Sequence, residues 1–438
     1  MSGRARLFAI VALYIACFQW IYLHYLYPTL DYLGFDFNPP GAVYVALAWT
    51  FALAPCLWMP LRLTRPSQLA YWVLYVTVLI PSMFVPLYAA LEPPREVAAL
   101  MLALLAGFLI VGAGYRRPLA VPGCGRFSPA RMAKAVAALG GGLALWMLVV
   151  YGHHLQIVGF NEVYDLRDRA SDLAEGTAVN YAFMLLTGAV NPFLMGYGLF
   201  CRTRWMVFSG IAGQLLVYAV GGTKGSILSI VFIPAMYALL RIRRLSFGVK
   251  IASAFLAVML GFLALFRALG EQAGDLASLA LFVVFSRTLG MGGLLTAQYY
   301  HFFQRNPFTY WSHIKVVNWF VHYPYQYPVG QELGIAYAGS TALDATAHFF
   351  ATDGLEAAGL PGILLISLFC AGVFWLLDSA AQRHDPRLAA LVTTYVAYNL
   401  ANISIFTSLL SGGLGLLIVV LYLMKPARLA PSAAIATS

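Results

Sequence analysis

The sequence predicts an all-α, polytopic integral membrane protein of about 12 transmembrane helices, and three observations lead there. Of its 438 residues, 61% are hydrophobic and only 10% are charged, whereas a soluble domain carries about 25% charged residues. Apolar runs of about 20 residues, enough to cross a hydrocarbon core at 1.5 Å per residue, recur along the chain. The basic residues collect between alternate runs, as short cytoplasmic loops require.

Taken in order, the expected spans are 7–27, 41–61, 68–90, 97–115, 135–158, 178–200, 205–220, 225–240, 247–266, 361–380, 388–406 and 409–424. The first follows Arg4 and Arg6 and carries no small-residue cleavage signal, so it reads as a retained span and not a signal peptide. With a cytoplasmic N-terminus, 19 of the 27 Lys and Arg fall on the cytoplasmic side, from Arg4 and Arg6 through Lys425 and Arg428. Asp378 and Asp385 are the acids expected there, leaving 15 of the 17 outside. Both termini are therefore expected in the cytoplasm.

A net charge of +10 does not indicate nucleic acid, because the basic residues form no continuous stripe. Cys17, Cys56 and Cys370 lie in apolar segments, and no zinc-like spacing or disulfide framework is visible. With no repeat, low-complexity tract or soluble module, residues 1–438 read as one transmembrane domain. Two substantial outer connections interrupt it, a first functional loop at 159–177 and a large loop with short helices at 267–360. Within the latter, Leu276–Phe285 is too short to span and is expected at the interface or folded over the bundle.

Eight cations oppose the charge trend: Arg95, Arg167, Arg169, Lys224, Arg267, Arg287, Arg305 and Lys315. A basic residue costs about 2.5–3.5 kcal/mol at the centre of a span, so an anion on the outer face is expected to compensate some of them. Arginine's planar fork suits phosphate oxygens. Pairing with the outer acids is the alternative use for each cation.

Arg167 and Arg169 stand among Asp165, Asp168 and Asp172, where a surface ion-pair network is the competing explanation. Gly221–Ser226 reads GGTKGS. It lacks the Walker spacing and a preceding strand, but a Gly-rich turn beside Lys224 at a helix start can hold an anion. Arg287 in SRTLGMGG ends an apolar run before three glycines and is the first choice among the outer cations. Asp344 and His348 are four apart, sharing a helical face on which a carboxylate can orient an imidazole for proton transfer. Asp353 and Glu356 follow closely. Tyr323 and Tyr325 lie in an aromatic-rich stretch suited to stacking on sugar faces, and equally to a membrane interface.

PSQLAYWVLYVTVLIP in the third span, the Arg167/Arg169 loop, GGTKGS, SRTLGMGG and HFFATDGLEAAGLPG together resemble the O-antigen polymerases (Wzy-type) among the oligosaccharide repeat-unit polymerases, relatives of the O-antigen ligases. The likeness covers most of the chain. One departure is that the glycine found eleven positions after an arginine in some members is replaced by Ala178 after Arg167 and Asn180 after Arg169. The resemblance implies a multi-pass protein of the bacterial inner membrane that moves a growing glycan between undecaprenyl-pyrophosphate-linked repeat units at the periplasmic face. Arg287 and Lys224 would offset charge on the leaving pyrophosphate, and His348 or Asp344 would take the acceptor proton. Arg167, Arg169, Arg267, Arg305, Tyr323 and Tyr325 would bind pyrophosphate or glycan. No metal, nucleotide or other cofactor and no nucleic acid is implied; membrane lipids and a chain-length regulator are the expected partners. Two alternatives are an O-antigen ligase or lipid-phosphate-sugar glycosyltransferase, for which Asp31 and Asp36 would matter, and a transporter of lipid-linked sugars.

Overall fold

The structure is a computed structural model that describes residues 2–116, 125–152, 178–269, 278, 280–341, 345 and 349–426. In chain order the helices are α1 Gly3–Leu33, α2 Ala42–Leu57, α3 Ser67–Ala89, α4 Pro94–Gly114, α5 Pro129–Tyr151, α6 Val179–Cys201, α7 Arg204–Gly221, α8 Lys224–Arg241 and α9 Phe247–Ala268. Then come α10, made of Phe282–Gly290 and Met291–Phe303, α11 Lys315–Asn318, α12 Val329–Ala338, α13 Phe350–Ala381, α14 Pro386–Val392, α15 Thr394–Asn399 and α16 Ile405–Leu423. Among the described residues 9 helices are long and apolar enough to cross a membrane: α1, α3, α4, α5, α6, α8, α9, α13 and α16. The chain is thus a polytopic, membrane-embedded helical protein. The other three expected spans coincide with α2, α7 and the interrupted pair α14–α15.

Contacts between the helix ends define one basic end of the bundle. Arg4 donates to the carbonyls of Cys56 and Met59, Gly248 N–H to Leu61 O, and Lys250 to Leu239 O and Ile242 O. His384 lies against Leu421 O, and Lys425 N–H bonds Phe127 O. Asp378, one of the two acids expected there, accepts from the Ser67 amide at 3.1 Å and its hydroxyl at 2.6 Å. That carboxylate caps the start of α3, where helix N–H groups lack partners and favour negative charge.

Helix α3 is apolar on every face and buried along its whole length, so it is the core about which the others pack. Three π-helical turns, Tyr22–Leu26, Tyr75–Leu79 and Leu186–Val190, each precede a proline, namely Pro28, Pro81 and Pro192. Proline lacks the N–H of the regular ladder and its ring crowds the carbonyl four residues back; a widened turn absorbs both effects.

Leu276–Phe285, expected at the interface or folded over the bundle, is described only in part, and its described end from Phe282 does not stop there. Phe282–Phe303 is instead a continuous helix packed inside the bundle, with Phe285 and Tyr299 at 0% exposure. Gly292 and Gly293 make this possible, because a Cβ on Gly293 would lie 2.6 Å from Pro81 O of α3. At its start Phe285, like Phe266, packs on Tyr25, and from Thr77 it runs along α3 until His301 reaches Leu91 O in the α3–α4 turn.

Helix α13 is two helices. Ala358 and Gly359 (φ +62°) break it, and the short first half folds back so tightly that a Cβ on Gly354 would meet Gly362 O at 2.6 Å. Pro361 then starts the long second half, a position where its missing N–H costs nothing.

Candidate functional site

The chain from Tyr395, beside the Ser67–Leu74 half of α3, to Ile405 links the polar groups. Arg287 projects from the π-helical half of α10 into a small cleft lined by Thr77, Thr288, Met291, Gly292, Tyr398, Ala401 and Asn402. The side chain is exposed and makes no hydrogen bond or ion pair with any described residue. The cleft holds about 10 Å³, room for roughly one water. A phosphate entering it must displace a neighbouring side chain.

Lys224 opens α8. Gly222 (φ +59°) ends α7 in the left-handed conformation, so two residues suffice to turn the chain back. No side chain caps the first N–H groups of α8, and the Thr223 hydroxyl is buried without a hydrogen-bond partner. Gly225 packs on Tyr395, where a Cβ would come within 2.7 Å of the phenol oxygen. Arg287 and the Lys224 turn thus approach α15 and its extension from two directions, through Tyr398 and Tyr395.

Ile405 N–H donates to Asp353 Oδ2 at 2.8 Å. Only Ile403 and Ser404 separate Asn402 in the Arg287 cleft from Ile405, at most about 11 Å of chain. Asp353 and Glu356, on the first half of α13, are 0% and 2% exposed. Being three apart, they share a helical face. Glu356 Oε1 lies 3.1 Å from His313 Nδ1, and the Glu356 carbonyl accepts from the Thr309 amide and hydroxyl. Trp311 donates its indole N–H to Asp353 O at 3.1 Å. A buried carboxylate held beside a half-exposed imidazole is an arrangement able to accept and relay a proton.

Tyr323 and Tyr325 stand at this cluster. Their rings meet edge to face at 5.8 Å, and their hydroxyls donate to Tyr327 O and Pro307 O. Burial, followed by the negative charges of Glu332 and Glu356, pushes the Tyr325 phenol up to about 12. Burial and then Glu356 and Glu332 also raise Tyr323. Both are neutral donors at physiological pH.

Two expected phosphate ligands are engaged elsewhere. The Arg305 guanidinium pairs with Glu92, which also lies 2.9 Å from His301 Nδ1. The Arg267 guanidinium covers the Trp20 ring at 4.7 Å, and Trp20 stacks on His24, a cation–π arrangement suited to an interface. Asp344, His348, Arg167 and Arg169 lie outside the described residues. Asp353 and Glu356 were visible in the sequence beside Asp344 and His348 but carried no assigned role. Their signal was the following Gly-Leu-Pro-Gly, which turns the helix back and buries them. His313 had no signal in the sequence. Among the described residues no group of three or more His, Cys, Asp or Glu is placed to hold a metal. No family model, curated protein or solved structure matches the chain.

Proposed function

We propose that the chain is a glycosyltransferase that polymerises undecaprenyl-pyrophosphate-linked oligosaccharide repeat units at the periplasmic face of a bacterial inner membrane, with its N- and C-termini in the cytoplasm. The observation that carries this reading is Arg287, a cation inside a membrane bundle with no carboxylate partner among the described residues. Holding such a charge is costly unless an anion docks beside it.

In the reaction an acceptor sugar hydroxyl attacks the anomeric carbon of the donor glycan. A new C–O bond forms there, the bond to the pyrophosphate oxygen breaks, and the lipid pyrophosphate leaves with that electron pair. Arg287 offsets the charge growing on the leaving oxygens, and the uncapped start of α8 with Lys224 offers further N–H donors. The acceptor proton passes to the Glu356–His313 pair; Asp344 and His348 remain the sequence-derived candidates for the same step. Tyr323 and Tyr325 line the approach as ring surfaces for the glycan.

The test is purified protein in vesicles with lipid-linked repeat units and no ion gradient. Longer lipid-linked glycans on a gel support polymerisation. Transfer onto a lipid A acceptor without elongation favours a ligase, and movement of the substrate across the bilayer with no new glycosidic bond removes both enzyme readings.

A further inference from the structure

We propose a second binding site, on the basic end of the bundle, that takes the phosphate headgroup of an anionic membrane lipid. A cleft of about 420 Å³ lies there between the α2–α3 connection, the α8–α9 turn and α14. Five cations line it: Arg62, Arg243, Arg244, Lys250 and Arg387. Among the described residues no carboxylate lines it, and none of the five forms an ion pair with one. The acid nearest in sequence, Asp385, is turned to the amide of Arg387, where it caps α14.

A charge asymmetry between the two ends explains why basic residues gather here in general. It does not explain five of them converging on one cavity, at the cost of mutual repulsion. Two further features point to a ligand. Lys250 is 8% exposed and its ammonium is fixed by Leu239 O and Ile242 O at 3.3 and 3.0 Å, so it is a preset positive floor and not a mobile surface chain. The Ser246 hydroxyl, also lining the cleft, is buried and has no hydrogen-bond partner. A phosphate oxygen would satisfy it while the guanidinium forks close on the other oxygens.

The rim argues for a lipid over a soluble phosphate. Ile242 and Leu245 interleave with the arginines and are 45% and 39% exposed, which places apolar surface where a glycerol backbone and the start of an acyl chain would lie. Basic pockets between membrane helices bind anionic headgroups by this combination.

The experiment is native mass spectrometry of the full-length protein with phosphatidylglycerol, phosphatidylcholine or inorganic phosphate, with a thermal-shift arm. Phosphatidylglycerol should be retained selectively and should raise the melting temperature. Arg243→Gln/Arg244→Gln, two exposed positions, should weaken its retention about thirtyfold, since each basic group at an anionic surface contributes about 1 kcal/mol and tenfold corresponds to about 1.4 kcal/mol. Arg202→Gln/Arg204→Gln makes the same change in net charge away from the cleft and should leave retention intact. Equal loss in both variants, equal retention of phosphatidylcholine, or equal protection by inorganic phosphate would overturn the assignment.

Discussion

Arg287 and Arg305 look alike in the sequence, both being cations on the side where cations are disfavoured, yet the structure separates them. The partner of Arg305 is Glu92, 213 residues away, and no local pattern announces such a pair. Arg287 was legible because its glycine-rich surroundings and charge are local. The Glu356–His313 pair belongs with Arg305 in this respect. If it takes the acceptor proton, Glu356→Gln, which keeps the shape, should lower elongation by about 10²–10⁴-fold. Unchanged elongation would remove Glu356 from the reaction. The tyrosines give a pH signature. A phenol near 10 in the unfolded chain that rises to about 12 in the folded one leaves the folded state holding more protons between those values. Stability supplied by Tyr325 is therefore complete below about pH 10 and is lost as pH climbs toward about 12. Denaturation midpoints across that window should fall more steeply in the wild type than in Tyr325→Phe.

Helix periodicity was readable wherever an element spans without interruption, including the second half of α13, expected at 361–380 with Pro361 in its first turn, and failed at α10. Alternation of apolar runs and basic loops locates α4, α5 and α9, whose exposed faces meet lipid, because lipid demands little beyond length and composition. Helix α10 carries Ser286, Arg287, Thr288 and three glycines, which dilute its apolar character, and only packing on α3 shows that it enters the bundle. The break in α13 is spelled by Gly354, Gly359, Pro361 and Gly362, but the hairpin it makes depends on Gly354 and Gly362 touching backbone to backbone. Gly362→Ala should force the halves apart at a cost of about 1–3 kcal/mol and displace Asp353 and Glu356 together. A lowered melting temperature with loss of elongation is expected; an unaltered melting temperature would mean the two halves are not in contact.

Across the whole molecule the chemistry divides. The basic end is stapled by carbonyl and amide contacts between helix termini, whereas deeper in the bundle buried carboxylates, tyrosines and Arg287, which pairs with no described residue, gather around residues 395–405. Class and span order follow from composition and charge alone, since those are one-dimensional properties of the chain. The convergence of Arg287, Lys224 and Asp353 on one short segment is three-dimensional and emerges only from packing. The most direct measurement of the central claim compares wild type with Arg287→Ala, reconstituted at equal amounts with lipid-linked repeat units, and reads the glycan ladder. A variant that inserts and folds normally but stops at the single repeat unit, with elongation down by about 10²–10³-fold, is the expected result. A full ladder from Arg287→Ala would contradict the role of that cation in the reaction.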